Sequence, residues 1–452
     1  MTVLEGYWPA VAGEPALGNV NGRRPMRVAW LGTPMDTGSV TYIATQLLER
    51  LPDHGFEIDC YSPSVEELVP TRLRQQPGLR FFFQPLRYQA GRWYSRTKLG
   101  GFIVGQSERA AAQGILAERI RREHARRPYD CIYQMSQLEL FALRALRRSL
   151  PPLVLHPHTH AAGELRWLQR ERQIPALSNN PRRDLAVRTM MRTRAEIQSR
   201  DINLARLVVA PSARFADHLA QDYAFPRNRI AVVPNPIDLT RHILRSSSSR
   251  PPGPPRTLLF ISRISVRKGV EMVVRLSHRL ADEGTPAQIH VIGDHSAWSD
   301  YRPILRDLHP ATATYHGYIP SPRLASLYQE ADAVIQPSRF EPFGLTMGEA
   351  LATGVPVVAS SEVGAIEGVD PSVGRVFPDG DDAAFFRAVR DLLEETARPE
   401  RRRQLAQTAR SEAERLFSPE ASTAKLAHAL RHIPALNAVP NQARIVSPEA
   451  WR

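Results

Sequence analysis

Two glutamates, Glu341 and Glu349, stand in the stretch Ser338-Arg-Phe-Glu341-Pro-Phe-Gly344-Leu-Thr-Met-Gly-Glu349-Ala-Leu-Ala-Thr-Gly354-Val-Pro-Val-Val-Ala359. Glu341 falls in a turn and Glu349 more than a turn inside the helix that opens near Gly344. The mouth of a helix offers backbone N–H groups without intrahelical acceptors and the positive end of the dipole. The two carboxylates thus frame one pocket, where their charge can bind hydroxyl groups. A second cluster is Ser262-Arg263-Ile-Ser-Val-Arg-Lys268-Gly269. Two cations of different kind beside a helix N-terminus supply what a diphosphate needs, fixed charge and free N–H groups. Lys268 is one of three lysines, with Lys98 and Lys425, in a chain that uses Arg nearly everywhere else. The third cluster is His156-Pro-His158-Thr-His160. Three alternating histidines can present a metal-ligand face, but the Asp or Glu and the distant second His cluster that would complete a site are not evident. A histidine capping a strand end is the other reading.

The elements that must position these residues alternate between strand and helix. Around Glu341 an apolar strand at 333–335, the turn, the helix and a second strand at 357–359, after Gly354-Val-Pro356, make a β-loop-α-β unit. Arg263 and Lys268 follow a strand at 257–261 and precede a helix over about 270–280; the histidines follow a strand at 153–155. Upstream, Met26 to Leu31 reads as a strand, Gly32 to Gly38 as a glycine turn and Val40 to Leu51 as an apolar-periodic helix. Strands are expected at 56–61, 79–83, 131–133, 207–210 and 230–233. Helices are expected at 107–127 with Ser107 as N-cap and Glu108 in the first turn, at 137–148, at 181–200 and from Ser212 to about Tyr223. This alternation is doubly wound α/β. With 452 residues, 42% of them hydrophobic, two domains are expected. The chain divides into an arm (1–24), a first domain (25–238), a linker rich in Ser and Pro (239–256), a second domain (257–417), a helix crossing back onto the first (418–437) and a tail (438–452).

The stretch from Ser338 to Ala359 resembles the retaining glycosyltransferases of family 4, whose signature is a Glu, seven residues, a second Glu and a Gly-x-Pro-Val strand. Ile230-Ala-Val-Val-Pro-Asn235-Pro-Ile-Asp238 resembles the strand and Pro-Asn-Gly-x-Asp that end that family's first domain, with Pro236 where Gly is usual. The resemblance spans roughly residues 26–433. It implies a GT-B architecture, two Rossmann-like doubly wound domains facing across a cleft, and retaining transfer from a nucleotide-diphosphate sugar, UDP- or GDP-linked, to a hydroxyl. In its terms Glu341 with the backbone of Phe343, Gly344 and Leu345 holds the donor sugar, and Glu349 binds the ribose. Arg263 and Lys268 fall on the phosphate-binding pair, the loop with Tyr318 and Ile319 brackets the base, and Gly293 belongs to the same rim. Val363-Gly364-Ala365 and Glu367 match the following loop. His158 is the choice for the histidine beside the donor sugar, with His156 and His160 as rivals. Gly38 is a candidate near the acceptor and the donor phosphates, while Thr37 departs from the Gly-Gly usual there. The resemblance implies no divalent metal, and no cofactor beyond the nucleotide-sugar co-substrate is expected. The resemblance leaves three alternatives: a GT-B phosphorylase, a nucleotide-sugar epimerase and a non-catalytic sugar-nucleotide binder.

Composition bounds the partners. The net charge of +13 is unevenly spread, with 29 Lys and Arg against 18 Asp and Glu in residues 1–200 but 30 against 28 in the rest. The basic excess is therefore N-terminal. Within it Arg80-Phe-Phe-Phe-Gln-Pro-Leu-Arg87-Tyr-Gln-Ala-Gly-Arg92-Trp-Tyr-Ser-Arg96-Thr-Lys98 interleaves aromatics with cations, which suits an anionic lipid surface, a phosphorylated acceptor or an ordinary exposed loop. The acceptor is a hydroxyl compound for which anionic and lipid-linked forms stay open, and no nucleic-acid partner is expected. No apolar run spans a membrane and no signal pattern opens the chain, so a cytoplasmic protein is expected, with peripheral contact at the inner membrane face open. Cys60 and Cys131 read as buried thiols in a reducing compartment.

Overall fold

The computed structural model describes residues 24–36, 38–85, 98–171, 181–245, 255–296 and 300–433. Thr37, Arg87, Arg92, Arg96, the arm before residue 24, residues 246–254 of the linker and the tail lie outside these residues, and of Lys98 only the backbone is described. The first seven strands are β1 (Met26–Leu31), β2 (Phe56–Ser62), β3 (Leu79–Phe83), β4 (Cys131–Met135), β5 (Leu153–His156), β6 (Leu207–Ala210) and β7 (Ile230–Val232). They form one sheet in the order β3-β2-β1-β4-β5-β6-β7, every pairing parallel. The next six are β8 (Arg256–Ile261), β9 (Ala287–Ile292), β10 (Ala313–Tyr315), β11 (Ala333–Gln336), β12 (Val357–Ser360) and β13 (Gly374–Phe377). Their sheet runs β10-β9-β8-β11-β12-β13, again parallel throughout.

Both orders reverse once, between β1 and β4 in the first sheet and between β8 and β11 in the second. At such a switch point the loops leaving neighbouring strands diverge to opposite faces and open a crevice at the strands' carboxyl ends. The loop with Gly38 leaves β1, the loop with Arg263 and Lys268 leaves β8, and the loop with Glu341 leaves β11. Topology alone therefore brings the second and third of these to one crevice.

The strands are buried on both faces, as parallel sheets require. Along β1, Val28 and Trp30 join one hydrophobic cluster while Ala29 and Leu31 join the other, the two-residue alternation of a pleated strand. The Val28 side is covered by the Ser39–Arg50 helix and by the last described helix, Pro419–Arg431, whose Leu426, Ala427 and Leu430 pack into the first sheet's core. The Ala29 side carries Leu116 and Ile120 of the Lys98–Arg126 helix. The second sheet has its own core, including Leu258, Val334, Val357 and Leu351. Cys60 and Cys131 are buried and unpaired, and burial pushes both thiols up. No helix among the described residues is long and apolar enough to cross a membrane.

Three local expectations need correction. Ser107 does not cap a helix, because the helix begins at Lys98 and Ser107 lies inside it, its hydroxyl donating to the Val104 carbonyl at 2.9 Å. That back-bond satisfies a serine in a helix interior as well as a cap would, so a Ser-Glu pair was no sure start signal. The helix expected over 137–148 shrinks to Phe141–Leu146 and a 3-10 turn at Arg147–Ser149. Its first residues are held out of helix by the Gln134 amide, which donates to the carbonyls of Gln137 (3.2 Å) and Glu139 (3.1 Å), and by Asp201, which accepts the Leu140 N–H at 2.8 Å. Finally, Arg80 is not free to dock a surface. Its guanidinium holds Asp59 through two bonds of 2.7 and 2.6 Å, with Arg27 a further 2.7 Å from the same carboxylate.

Candidate active site

The chain leaves β8 through Ser262 and Arg263 into the Val266–Lys268 turn, and Gly269 (φ 73°) caps the Val270–Asp282 helix. Only glycine fits there, because a Cβ would drive into the carbonyl of Pro337 at the end of β11. That close approach lays the Lys268 turn against the Glu341 loop. Lys268 Nζ pairs with Glu341 Oε2, and Gln336 Nε2 donates to the same oxygen at 3.0 Å. The lysine and glutamate side chains are only 10% and 15% exposed. Burial pushes the Lys268 ammonium below its ordinary value, and the Glu341 charge works against that. Arg263, by contrast, is exposed, with no ion pair among the described residues.

Gly344 takes φ 99° as the N-cap of the Leu345–Ala352 helix, and a Cβ would sit 2.9 Å from Val363 Cγ1. Among the described residues no acceptor takes the N–H of Gly344, Leu345 or Thr346. A helix mouth with open donors therefore adjoins the buried Lys268–Glu341 pair. Glu349, inside that helix, accepts the Tyr328 hydroxyl at 2.9 Å, and His242 faces it closely enough to be pulled upward against the larger effect of burial. Gly293 donates its N–H to Gly317 at 2.8 Å; Tyr318 is exposed and Ile319 packs on the second core. Gly293, Tyr318 and Ile319 thus rim the same sheet on the β9–β10 side.

On the first sheet, Gly38 caps the Ser39–Arg50 helix. Tyr42 of that helix donates its hydroxyl to Asp238, and Arg241 lies over the Tyr42 ring at 4.1 Å and pairs with Asp238 at 3.3 Å. The Pro-Asn-Pro-Ile-Asp segment therefore braces the Gly38 helix. The three histidines part company. His156 Nδ1 bonds the Tyr133 hydroxyl at 2.5 Å, and His160 Nε2 bonds Asp222 at 2.5 Å, Asp222 being held also by Arg166. Among the described residues no group meets full hydrogen-bond geometry at either His158 ring nitrogen, although Asn235 and the His156 backbone lie near enough to raise its proton affinity, and its ring lies 4.5 Å from that of His156. Burial pushes all three downward, His158 to about 4 with Asn235 working the other way, so at neutral pH they are uncharged. This spread separates the three imidazoles into different surroundings.

The two rims are tied together by contacts that no local pattern signals. Phe340, one residue before Glu341, buries its ring in the first sheet's core against His160, His218 and Phe215. Ser212 Oγ donates to the Pro342 carbonyl at 2.7 Å, and His218 pairs with Glu362 at 3.2 Å. Glu367 reaches across to accept the N–H groups of Ala213 (2.7 Å) and Arg214 (2.6 Å), capping the Ala213–Tyr223 helix of the first sheet. Sequence pattern had put Glu367 merely in the following loop. The donors lie 154 and 153 residues away, a separation that no local signal spans. The Ala161–Glu171 helix, opening just after the histidines, approaches the Lys268 turn, with Glu164 near enough to raise the lysine's proton affinity. The histidine loop, the Lys268 turn and the Glu341 loop therefore share one crevice.

Residues 244–412 match the family model "Glycosyl transferases group 1", and residues 38–241 match "Glycosyltransferase Family 4". The chain is 28% identical to a D-inositol 3-phosphate glycosyltransferase of Geodermatophilus obscurus over 83% of its length and 85% of that relative's. It is 30% identical to a glycogen synthase of Mycobacterium tuberculosis over 44% of its length and 48% of that protein's. Among solved structures it resembles sucrose-phosphate synthase from Thermosynechococcus elongatus, with TM-score 0.63 and 20% identity over 91% and 99% of the two chains. It also resembles Anabaena HepE in complex with UDP, with TM-score 0.59 and 18% identity over 90% and 100%. Together with the two parallel sheets, these likenesses establish the GT-B fold.

Proposed function

The chain belongs to the group 1 glycosyltransferases, and we propose that it moves a sugar from a nucleotide-diphosphate donor to an acceptor hydroxyl with retention of configuration. The observation that carries this reading is the Lys268–Glu341 pair set against the open mouth of the Leu345–Ala352 helix, with exposed Arg263 in the same loop as Lys268. As the bond from the sugar to the diphosphate breaks, negative charge grows on the departing phosphate oxygen. Fixed cations and helix N–H groups stabilise that charge without reorganising. Arg263, Lys268 and the N–H groups of Gly344 and Leu345 take this role. Glu341 holds sugar hydroxyls, Glu349 the ribose, and neutral His158 the far side of the sugar. The acceptor oxygen attacks on the face that the phosphate leaves, and its proton passes to a phosphate oxygen. These cations suffice in place of a divalent metal, so turnover should persist in EDTA.

The named relatives guide the choice of substrates. HepE was solved with UDP and with UDP-glucose, and D-inositol 3-phosphate is an anionic hydroxyl compound. An anionic acceptor, soluble or lipid-linked, fits the basic excess of residues 1–200, as does a cytoplasmic protein touching the inner membrane face. The test is a panel of UDP-, GDP- and ADP-sugars against inositol phosphates and anionic lipids, with product mass and anomeric configuration read by mass spectrometry and NMR. A retained glycoside is the expected product. Donor binding without product would leave a binder, sugar release dependent on inorganic phosphate a phosphorylase, and an inverted product would end the retaining reading.

A further inference from the structure

Phe340 and Glu341 are consecutive, yet their side chains serve opposite halves of the molecule. Glu341 forms a parallel bridge with Val363, and its N–H and carbonyl bond Glu362 (3.2 Å) and Gly364 (3.1 Å). Neighbouring side chains in extended backbone point to opposite sides. The carboxylate accordingly faces Lys268 and Gln336, and the ring enters the core of the first sheet, where it is 2% exposed. Its seat is made by His160 (centroids 5.6 Å apart), His218 (5.4 Å) and Phe215 (6.5 Å). The floor of the seat is Gly163, where a Cβ would stand 2.7 Å from Phe340 Cζ and 2.5 Å from His160 Cε1. Consecutive Cα atoms are about 3.8 Å apart, so a displacement of the backbone at Phe340 is shared by Glu341.

We propose that Phe340 is a positioning residue for Glu341: its ring, seated on Gly163, fixes the carboxylate and ties its placement to the approach of the two sheets. If the sheets part, the ring leaves its seat and the Glu341 loop loses this apolar anchor in the first sheet. The inference rests on the reading that Glu341 serves the donor sugar. Arg263, which holds the diphosphate with Lys268 in that reading, is exposed on the second sheet and is no part of the seat, whereas Lys268 is joined to it through Glu341 and through its neighbour Arg267, whose guanidinium lies 5.8 Å from the Phe340 ring and donates to the Phe340 carbonyl at 3.2 Å.

The test changes the seat from the first sheet, leaving the donor side of the sequence intact. In Gly163→Ala the added methyl pushes on the ring. We expect kcat to fall about tenfold or more, as misplacing a catalytic group by an ångström can cost about a hundredfold. The KM for donor and the Kd for UDP by calorimetry should stay within about twofold. Amide hydrogen exchange of residues 338–345 in the ligand-free protein should quicken. Phe340→Ala should behave alike and Phe340→Leu should recover most of kcat. Because the added methyl meets His160 as well as the ring, Gly163→Ala should still cost something in the Phe340→Ala background, but clearly less than it costs in the wild type. Additive losses, or unchanged exchange and kcat in Gly163→Ala, would overturn the proposal. If the wild type binds UDP but transfers no sugar, the functional reading fails instead, and the exchange data still decide whether the ring holds the loop.

Discussion

At the carboxyl end of β5 three imidazoles are kept neutral by burial, two of them bonded to a phenol and to a carboxylate, whereas at the ends of β8 and β11 a lysine and a glutamate stay paired, with an exposed arginine in the lysine's loop. Both rims line one crevice, and both are largely dehydrated. The difference lies in how each tolerates dehydration. An imidazole loses its proton and remains a polar neutral group. An ammonium and a carboxylate persist only by facing each other, since removing one leaves a buried charge uncompensated. In the proposed reaction the charge that grows belongs to the diphosphate, and it meets the charged rim, while the neutral rim meets the uncharged sugar.

Removing charge from the charged rim is the severest way to break this comparison. Glu341→Gln keeps size and hydrogen-bonding capacity but removes the charge, and kcat should fall at least about 100-fold, roughly 2.7 kcal/mol. Unchanged turnover in a variant that melts like the wild type would mean that the carboxylate serves only to balance Lys268.

The neutral rim should show itself in acid. His158 is held at about 4 against an ordinary 6.5. Above 6.5 it is neutral in both folded and unfolded chains and contributes no pH dependence. Between 6.5 and 4 the unfolded chain takes up a proton that the fold refuses, so stability falls as pH falls. The loss amounts to about 2–3 kcal/mol by pH 4. His158→Gln should therefore lose less stability than the wild type between pH 7 and pH 4.5, read as the shift in urea midpoint. Equal losses would place a titrating or solvated imidazole at 158 and erase the contrast between the rims.

Lys268→Arg sharpens the comparison, because it keeps the charge and alters only its shape. A compact ammonium fits the turn between Glu341 and a phosphate oxygen, whereas the wider planar guanidinium demands a forked geometry. Donor affinity and turnover together should drop by about 1.5–3 kcal/mol, the range of a hydrogen bond to a charged group, as read by kcat/KM and UDP calorimetry beside Lys268→Ala. An arginine variant equal to wild type would show that charge alone is enough on this rim.

Much of this was legible beforehand for a local reason. The strand, loop and helix around Glu341 lie within one contiguous stretch, as do those around Lys268, so each residue could be placed at a helix mouth from turn residues and apolar runs. The strand-helix alternation fixed the fold class in the same way, since periodicity is written into each segment. Boundaries were less secure where side-chain bonds overrode propensity, a local one from Gln134 and a distant one from Asp201 holding residues 137–140 out of helix.

The amino-acid sequence by itself determined the two doubly wound halves, the crevice-facing loops and the chemical kinds of group in them, because these follow from local pattern and the chirality of parallel crossovers. Only the tertiary structure decided which groups meet. Lys268 and Glu341 are 73 residues apart, and their contact depends on the strand order that sets β8 beside β11 and on the close fit of Gly269 against Pro337. The division of labour among His156, His158 and His160 was settled by Tyr133 and Asp222, which come from other strands and helices. Phe340 read as one more aromatic in a loop, and its destination became visible only when the second half was packed on the first, because burial is a property of the assembled surface and not of the residue.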